Sequence, residues 1–296
     1  MQFSTCIKNI CQLRGITLTE KFKAQIIYLF PILASLMFGL LCASVILNTP
    51  TSIPSVTPIP ETNPGGGTNV GAPFLNALYY VVLVAVGAFL IYILLKRKSH
   101  KTITYLIGFA LSAAFLLVSI IYFSAIFASL PDSDFIVLGL AIVTTALGDY
   151  AVFKLGGNAS NLIVLALGGS LGIFLGSAIP VYSAVIILLF LAVYDIFTVY
   201  YGPVGKIAAG GLDQLRGLSF SFREIEMGLG DLVFYSLLGG NMLFNFGIFP
   251  CFACLGGILV GSFVTFLMLE RRGVFPGLPF PIVLGLVAGI VTSLFI

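Results

Sequence analysis

Nine long apolar runs, separated by short polar or proline-rich stretches, organise the chain. They fall at about 26–48, 74–95, 103–129, 135–154, 159–179, 181–201, 226–246, 249–269 and 279–296. Each is near the ~20 residues a helix needs to cross a bilayer, so the pattern predicts an all-α polytopic membrane protein with nine transmembrane helices. Residues 49–73 hold six prolines and the triplet Gly65-Gly66-Gly67, which predicts an irregular, mobile external loop. A short loop, 202–225, joins the sixth and seventh runs. Residues 1–25 carry Lys8, Arg14, Lys21 and Lys23 without the layout of a secretory signal. A full-length span follows them, so they read as a cytoplasmic tail, and 26–296 reads as a single membrane domain.

Composition agrees with this pattern. The 296 residues are 59% hydrophobic and 8% charged, with mean hydropathy +1.14, whereas a soluble domain carries roughly 25% charged residues. No charged block is long enough to fold alone, and no basic patch interleaved with aromatics argues for nucleic acid. With nine spans, all fourteen Lys and Arg fall on one side: the tail, the 96–101 loop, Lys154, the Lys206–Arg223 loop and Arg271-Arg272. The other side holds none of them, but carries Glu61, Asp132 and Asp134. The positive-inside rule then puts the N-terminus in the cytoplasm and the C-terminus outside. One span more or fewer would scramble the segregation.

Five cysteines (Cys6, Cys11, Cys42, Cys251, Cys254) are too few and scattered for a disulfide scaffold. Cys251-x-x-Cys254 has metal or redox spacing but lies at a span edge without a nearby His, so it reads as small-residue packing. No metal or cofactor is expected. His100 sits alone in a basic loop and reads as solvated.

Three aspartates fall in or near spans: Asp149, Asp195 and Asp231. A carboxyl group at such depth costs several kcal/mol unless it faces protein, water or a proton-sharing partner. Asp195 lies about seven residues, ~10 Å, from the cytoplasmic end of the sixth span, and Asp231 about five residues, ~8 Å, into the seventh. Sequential antiparallel helices thus hold two acids at similar depth. Like charges a few Å apart cannot both ionise, so one keeps its proton; the ionised one can activate water while the other polarises a carbonyl. That is the equipment of an aspartic protease. Paired carboxylates equally suit a cation or proton transporter, and spacing alone does not divide the two readings.

The neighbours of these acids differ in character. Gly228 lies three residues before Asp231, which predicts a shared helical face, and Gly230 adjoins it. A face so bare of bulk would admit a second helix or an extended peptide. Asp149, five residues from Lys154, reads as interfacial or structural. Gly168, Gly172 and Gly176 recur every fourth residue and predict a ridge for helix packing. Phe275-Pro276-Gly277-Leu278-Pro279-Phe280-Pro281 opens the ninth span with three prolines, which block regular helix and free backbone groups. Loose backbone at this depth survives only beside protein or a watery cavity, so the segment suits lining a site and pairing with an extended substrate strand.

Three elements together resemble the presenilin / signal peptide peptidase family. Tyr194-Asp195 looks like its Y-D motif and Gly228-Leu229-Gly230-Asp231 like its G-x-G-D motif, followed by the presenilin-like Leu232-Val233-Phe234-Tyr235-Ser236. Pro276-Gly277-Leu278-Pro279 resembles the P-A-L motif. The resemblance implies an intramembrane aspartyl protease that cleaves peptide bonds within transmembrane segments, with Asp195 and Asp231 catalytic and no metal. It further implies that Tyr194, Gly228, Leu229, Gly230, Pro276, Gly277, Leu278 and Pro279 line the substrate site. Nine spans with a cytoplasmic N-terminus match presenilins, whereas signal peptide peptidases are inverted. Two departures stand out: Gly277 replaces the family's Ala, and the 202–225 loop has no room for the long autoprocessed insertion of animal presenilins. The chain is therefore similar to a compact microbial homologue in a cell membrane, acting on transmembrane peptides without obligatory accessory subunits and compatible with a homo-oligomer.

Overall fold

The computed structural model describes residues 24–49, 54–61, 69–97, 100–130, 133–200, 219–222, 225–272 and 275–295. The expected N-terminal tail, with Cys6 and Cys11, lies outside the described residues except for its last two. So do Asp132, Lys206, Arg216 and Arg223.

Nine helices are present among the described residues: α1 (Phe30–Leu47, entered through a 3-10 turn), α2 (Ala72–Lys96), α3 (His100–Ile126), α4 (Asp134–Tyr150), α5 (Gly157–Ala178), α6 (Val181–Tyr200), α7 (Leu229–Phe246), α8 (Ile248–Arg272) and α9 (Pro279–Phe295). Their bounds follow the apolar runs to within a few residues. Seven of them (α1–α6 and α8) are long and apolar enough to cross a membrane, and α9 is a shorter apolar helix of 17 residues. α7 is the exception in composition: Asp231, Asn241 and Asn245 interrupt its 18 residues.

That composition fits its place. α7 is the central helix, packed by α1, α5, α6, α8 and α9, so Asn241 is buried against protein and Asp231 is half-buried, while Asn245 is exposed near the helix end. Asn241 Nδ2 donates to Gly176 O at 3.1 Å and to Ile179 O at 2.9 Å, where α5 runs out of helical donors. The glycine ridge expected on α5 makes the contact close. A Cβ on Gly172 would stand 2.4 Å from Val233 O, one on Gly176 2.6 Å from Leu237 O, and one on Gly168 2.8 Å from Leu232 Cβ. Backbone therefore meets backbone along the helix that carries Asp231. α8 and α9 lock similarly, since a Cβ on Gly261 would lie 2.5 Å from Pro281 Cα and one on Gly257 2.5 Å from Leu284 O.

Two expectations need correction. The seventh span, expected from 226, becomes helical only at Leu229, because strands β1 (Ser219–Phe222) and β2 (Ile225–Gly228) pair antiparallel before it, with Ser219 opposite Gly228. The described part of the proline-rich loop, 54–61, is not free of tertiary ties. Asn76 of α2 pairs with both Ile59 N and Ile59 O, at 3.0 and 2.9 Å, and Tyr80 Oη donates to Val56 O at 3.0 Å. Glu61 Oε1 accepts from Ser183 N at 2.7 Å, satisfying a free donor in the first turn of α6. Proline composition forbids regular structure but not anchoring by side chains from another element.

Candidate active site

Asp195 lies on α6, five residues before Tyr200, the last residue of that helix, about 8 Å at 1.5 Å per residue. Asp231 lies in the first turn of α7. Both are half-buried, so each keeps a side open to an incoming group. They are near enough to interact electrostatically.

The irregular stretch before α9 closes over them. Leu278 N donates to Asp195 Oδ2 at 3.0 Å, and the Gly277 N–H also reaches that carboxylate. A Cβ added to Gly277 would stand 3.0 Å from Asp231 Oδ2. One two-residue stretch therefore touches both acids, and its missing side chain is what lets it do so. Pro276 and Leu278 are buried, the latter only 6% exposed, and the Phe275 and Phe280 rings stack at 5.5 Å across the bend. Prolines at 276, 279 and 281 keep the bend from winding into α9 one turn early.

The other expected site residues divide. Tyr194 is half-buried beside Asp195, and Pro279 is half-buried at the start of α9. Gly228 is not on the helical face of Asp231. It ends β2 with φ −72° and ψ 144°, and the helix begins after it. Neither Gly228 nor Gly230 is pressed by a neighbour: a Cβ at either would meet nothing closer than 3.7 Å. The tight approach to the acids comes instead at Gly277, directed at Asp231. Leu229 is 9% exposed and packs its side chain toward Gly168 of α5, so it anchors the start of α7.

Other acids and thiols are accounted for elsewhere. Asp149 meets Ser112 Oγ and ties α4 to α3, while Lys154 lies over the Tyr150 ring at 5.9 Å. Cys251 and Cys254 are buried in α8, Cys254 against α9 at Gly289. Tyr235 was singled out in the sequence only as part of a motif, yet its hydroxyl donates to Gly277 O at 2.9 Å. Its position four residues after Asp231, on the same helical face, is the signal that could have marked it.

The presenilin family model matches residues 212–296, which include β1, β2, α7 and α9. No curated protein matches the chain in sequence. Among solved structures, a presenilin family intramembrane aspartate protease in C222 crystals is 18% identical, covers 90% of this chain and 99% of that one, and superposes with TM-score 0.64. Such a protease in P2 crystals is 17% identical, covers 90% and 96%, and gives TM-score 0.62. The resemblance seen in three short motifs thus extends through the architecture: this chain has the presenilin fold, and its C-terminal third carries the presenilin sequence pattern.

Proposed function

We propose that the chain is an intramembrane aspartyl protease that hydrolyses peptide bonds within transmembrane segments, with Asp195 and Asp231 as its catalytic pair. The observation that carries this reading is the convergence of two carboxylates, from adjacent helices, on one non-helical segment inside a presenilin fold. The transporter reading that spacing left open gains nothing from these matches.

The chemistry follows from the pair. Two acids close enough to act on one another favour holding one proton between them. The ionised carboxylate takes a proton from water as its oxygen attacks the scissile carbonyl, and the protonated one donates to the carbonyl oxygen. The tetrahedral intermediate then collapses, with a proton passing to the departing nitrogen. No metal or cofactor enters these steps. A transmembrane substrate arrives as a helix and must first be unwound, exposing peptide groups that cost a few kcal/mol each in an apolar medium. In this reading the bend at 275–278, beside the acids, exchanges one of its own backbone bonds for a bond to the unwound substrate. Comparing the intact protein with Asp195→Ala and Asp231→Ala on single-span peptides tests the assignment.

The closeness of Gly277 to Asp231 makes a graded prediction. In Gly277→Ala the new methyl meets only the tip of a rotatable carboxylate, so cleavage is expected within a few-fold of the parent. Gly277→Val places a branch against the same oxygen and should lose roughly tenfold or more, from ~1–3 kcal/mol of overpacking at the reacting groups. Equal rates for Val and Gly, measured on one peptide, would show that the segment only starts a helix.

Orientation belongs to the same proposal. Ala24 N donates to Glu270 Oε2 at 2.8 Å, which sets the entry to α1 beside the end of α8 and Arg271. Glu61 sits with the start of α6 at the other end of that helix from Asp195. With basic residues facing the cytoplasm, a tag at Ile296 should react with impermeant reagents outside intact microbial cells, and one in the Lys206–Arg223 loop should not. The reverse labelling would mean an inverted enzyme with oppositely oriented substrates. Transmembrane peptides within the bilayer are the expected partners, with no obligatory accessory subunit.

A further inference from the structure

Tyr235 has no task in the chemistry above, although its position is unusual. It is 1% exposed, among the largest fully buried side chains, and a phenol so buried is destabilising unless it is hydrogen-bonded. Its hydroxyl donates to the Gly277 carbonyl at 2.9 Å and also meets the Ser262 hydroxyl of α8. The other end of that same peptide group is the Leu278 N–H, which donates to Asp195 Oδ2 at 3.0 Å. A peptide group is planar, so a bond that fixes its C=O also fixes the direction of its N–H.

We infer that Tyr235 is a positioning residue: through the rigid 277–278 peptide it aims the Leu278 N–H at Asp195, so that α7 sets the orientation of the carboxylate on α6. This rests on the protease reading. The segment needs such a tie because it has the least means of fixing itself. Pro276 and Pro279 carry no N–H, and Gly277 has no side chain to wedge its peptide plane. A Phe would fill the same cavity, so the hydroxyl is needed for the bond and not for packing. The ionisable groups acting on one another here, among the described residues, are Asp195, Asp231 and Tyr235. A displaced amide would therefore disturb the protonation of the pair as well as its geometry.

Tyr235→Phe tests this in the full-length protein, with single-span peptide as substrate and rates expressed per folded molecule after size exclusion. The expected result is a roughly fivefold fall in kcat with KM within about twofold, because one hydrogen bond, ~1 kcal/mol, is lost at the reacting groups. The pH–rate profile should also be displaced by about half a pH unit. A lower melting temperature with the parental kcat and pH profile would overturn the inference, since a phenol that merely satisfied a buried carbonyl would behave so. Should Tyr235→Phe fail to fold, 3-fluorotyrosine at position 235 keeps ring and hydroxyl but is a stronger donor. It should displace the pH profile, and an unmoved profile would overturn the inference. The protease reading is judged separately: cleavage that survives in Asp195→Ala defeats that reading, whatever Tyr235→Phe does.

Discussion

Replacing Asp231 by Asn is expected to reduce cleavage of a single-span peptide by roughly 10²–10⁴-fold while leaving the protein folded. Asn keeps the size and hydrogen-bonding shape of the side chain but can neither carry nor share the proton. Asp195→Asn should do the same, because each acid performs a step that the other cannot duplicate. Asp195 is tethered by the Leu278 N–H and so does not take over the position of Asp231. Asp149→Asn is the control. It lies on α4 with Ser112 as neighbour, remote in the fold from the α6–α7–α9 junction, and cleavage should stay within a few-fold of the parent. Clean preparations of Asp231→Asn that cleave at the parental rate would remove Asp231 from the chemistry.

The second large effect is expected at Gly172, which touches neither acid. Its added Cβ would stand 2.4 Å from Val233 O and 2.5 Å from Ser236 Cβ. The nearest obstacle is backbone of a central helix, so it cannot rotate aside. Gly172→Val should cost at least the ~1–3 kcal/mol of ordinary core overpacking and push the start of α7 out of register with α6. Loss of cleavage should then accompany a lower melting temperature. Gly87→Val on α2, where nothing lies within 4 Å, introduces the same residue without the contact and should leave both nearly unchanged. Similar melting temperatures for the two variants would mean that the α5–α7 contact is looser than described.

The contrast between these sites explains what the sequence could and could not convey. Helix positions were legible because hydrophobic runs record where chain must meet lipid or core, and Gly168, Gly172 and Gly176 announced a contact face by their spacing. Their partner on α7 was not legible, since a ridge of small residues does not name what fills it. The acid pair was legible through depth and motif order. The detail that one peptide unit bonds both Asp195 and Tyr235 was hidden, because those partners lie 83 and 42 positions away from it. Gly228 was misjudged for a local reason. A glycine three residues before Asp231 fits a helical face, but the helix starts at Leu229 and Gly228 closes a four-residue strand. Ser219-Phe220-Ser221-Phe222 alternates polar and apolar residues, a strand signal too short to stand out inside a loop. The anchored stretch 54–61 was missed because its ties come from Asn76 and Tyr80, whose polar tips belong to a neighbouring helix.

The most direct test is incubation of the purified protein with a single-span peptide in detergent, where no gradient exists, in water enriched in ¹⁸O. Fragments are then weighed by mass spectrometry. Two complementary fragments are expected, with their junction inside the apolar span and solvent oxygen in the new carboxyl group. No fragments are expected from Asp195→Ala or Asp231→Ala. Intact peptide across a broad panel, together with Asp195-dependent solute flux into liposomes, would contradict the protease assignment.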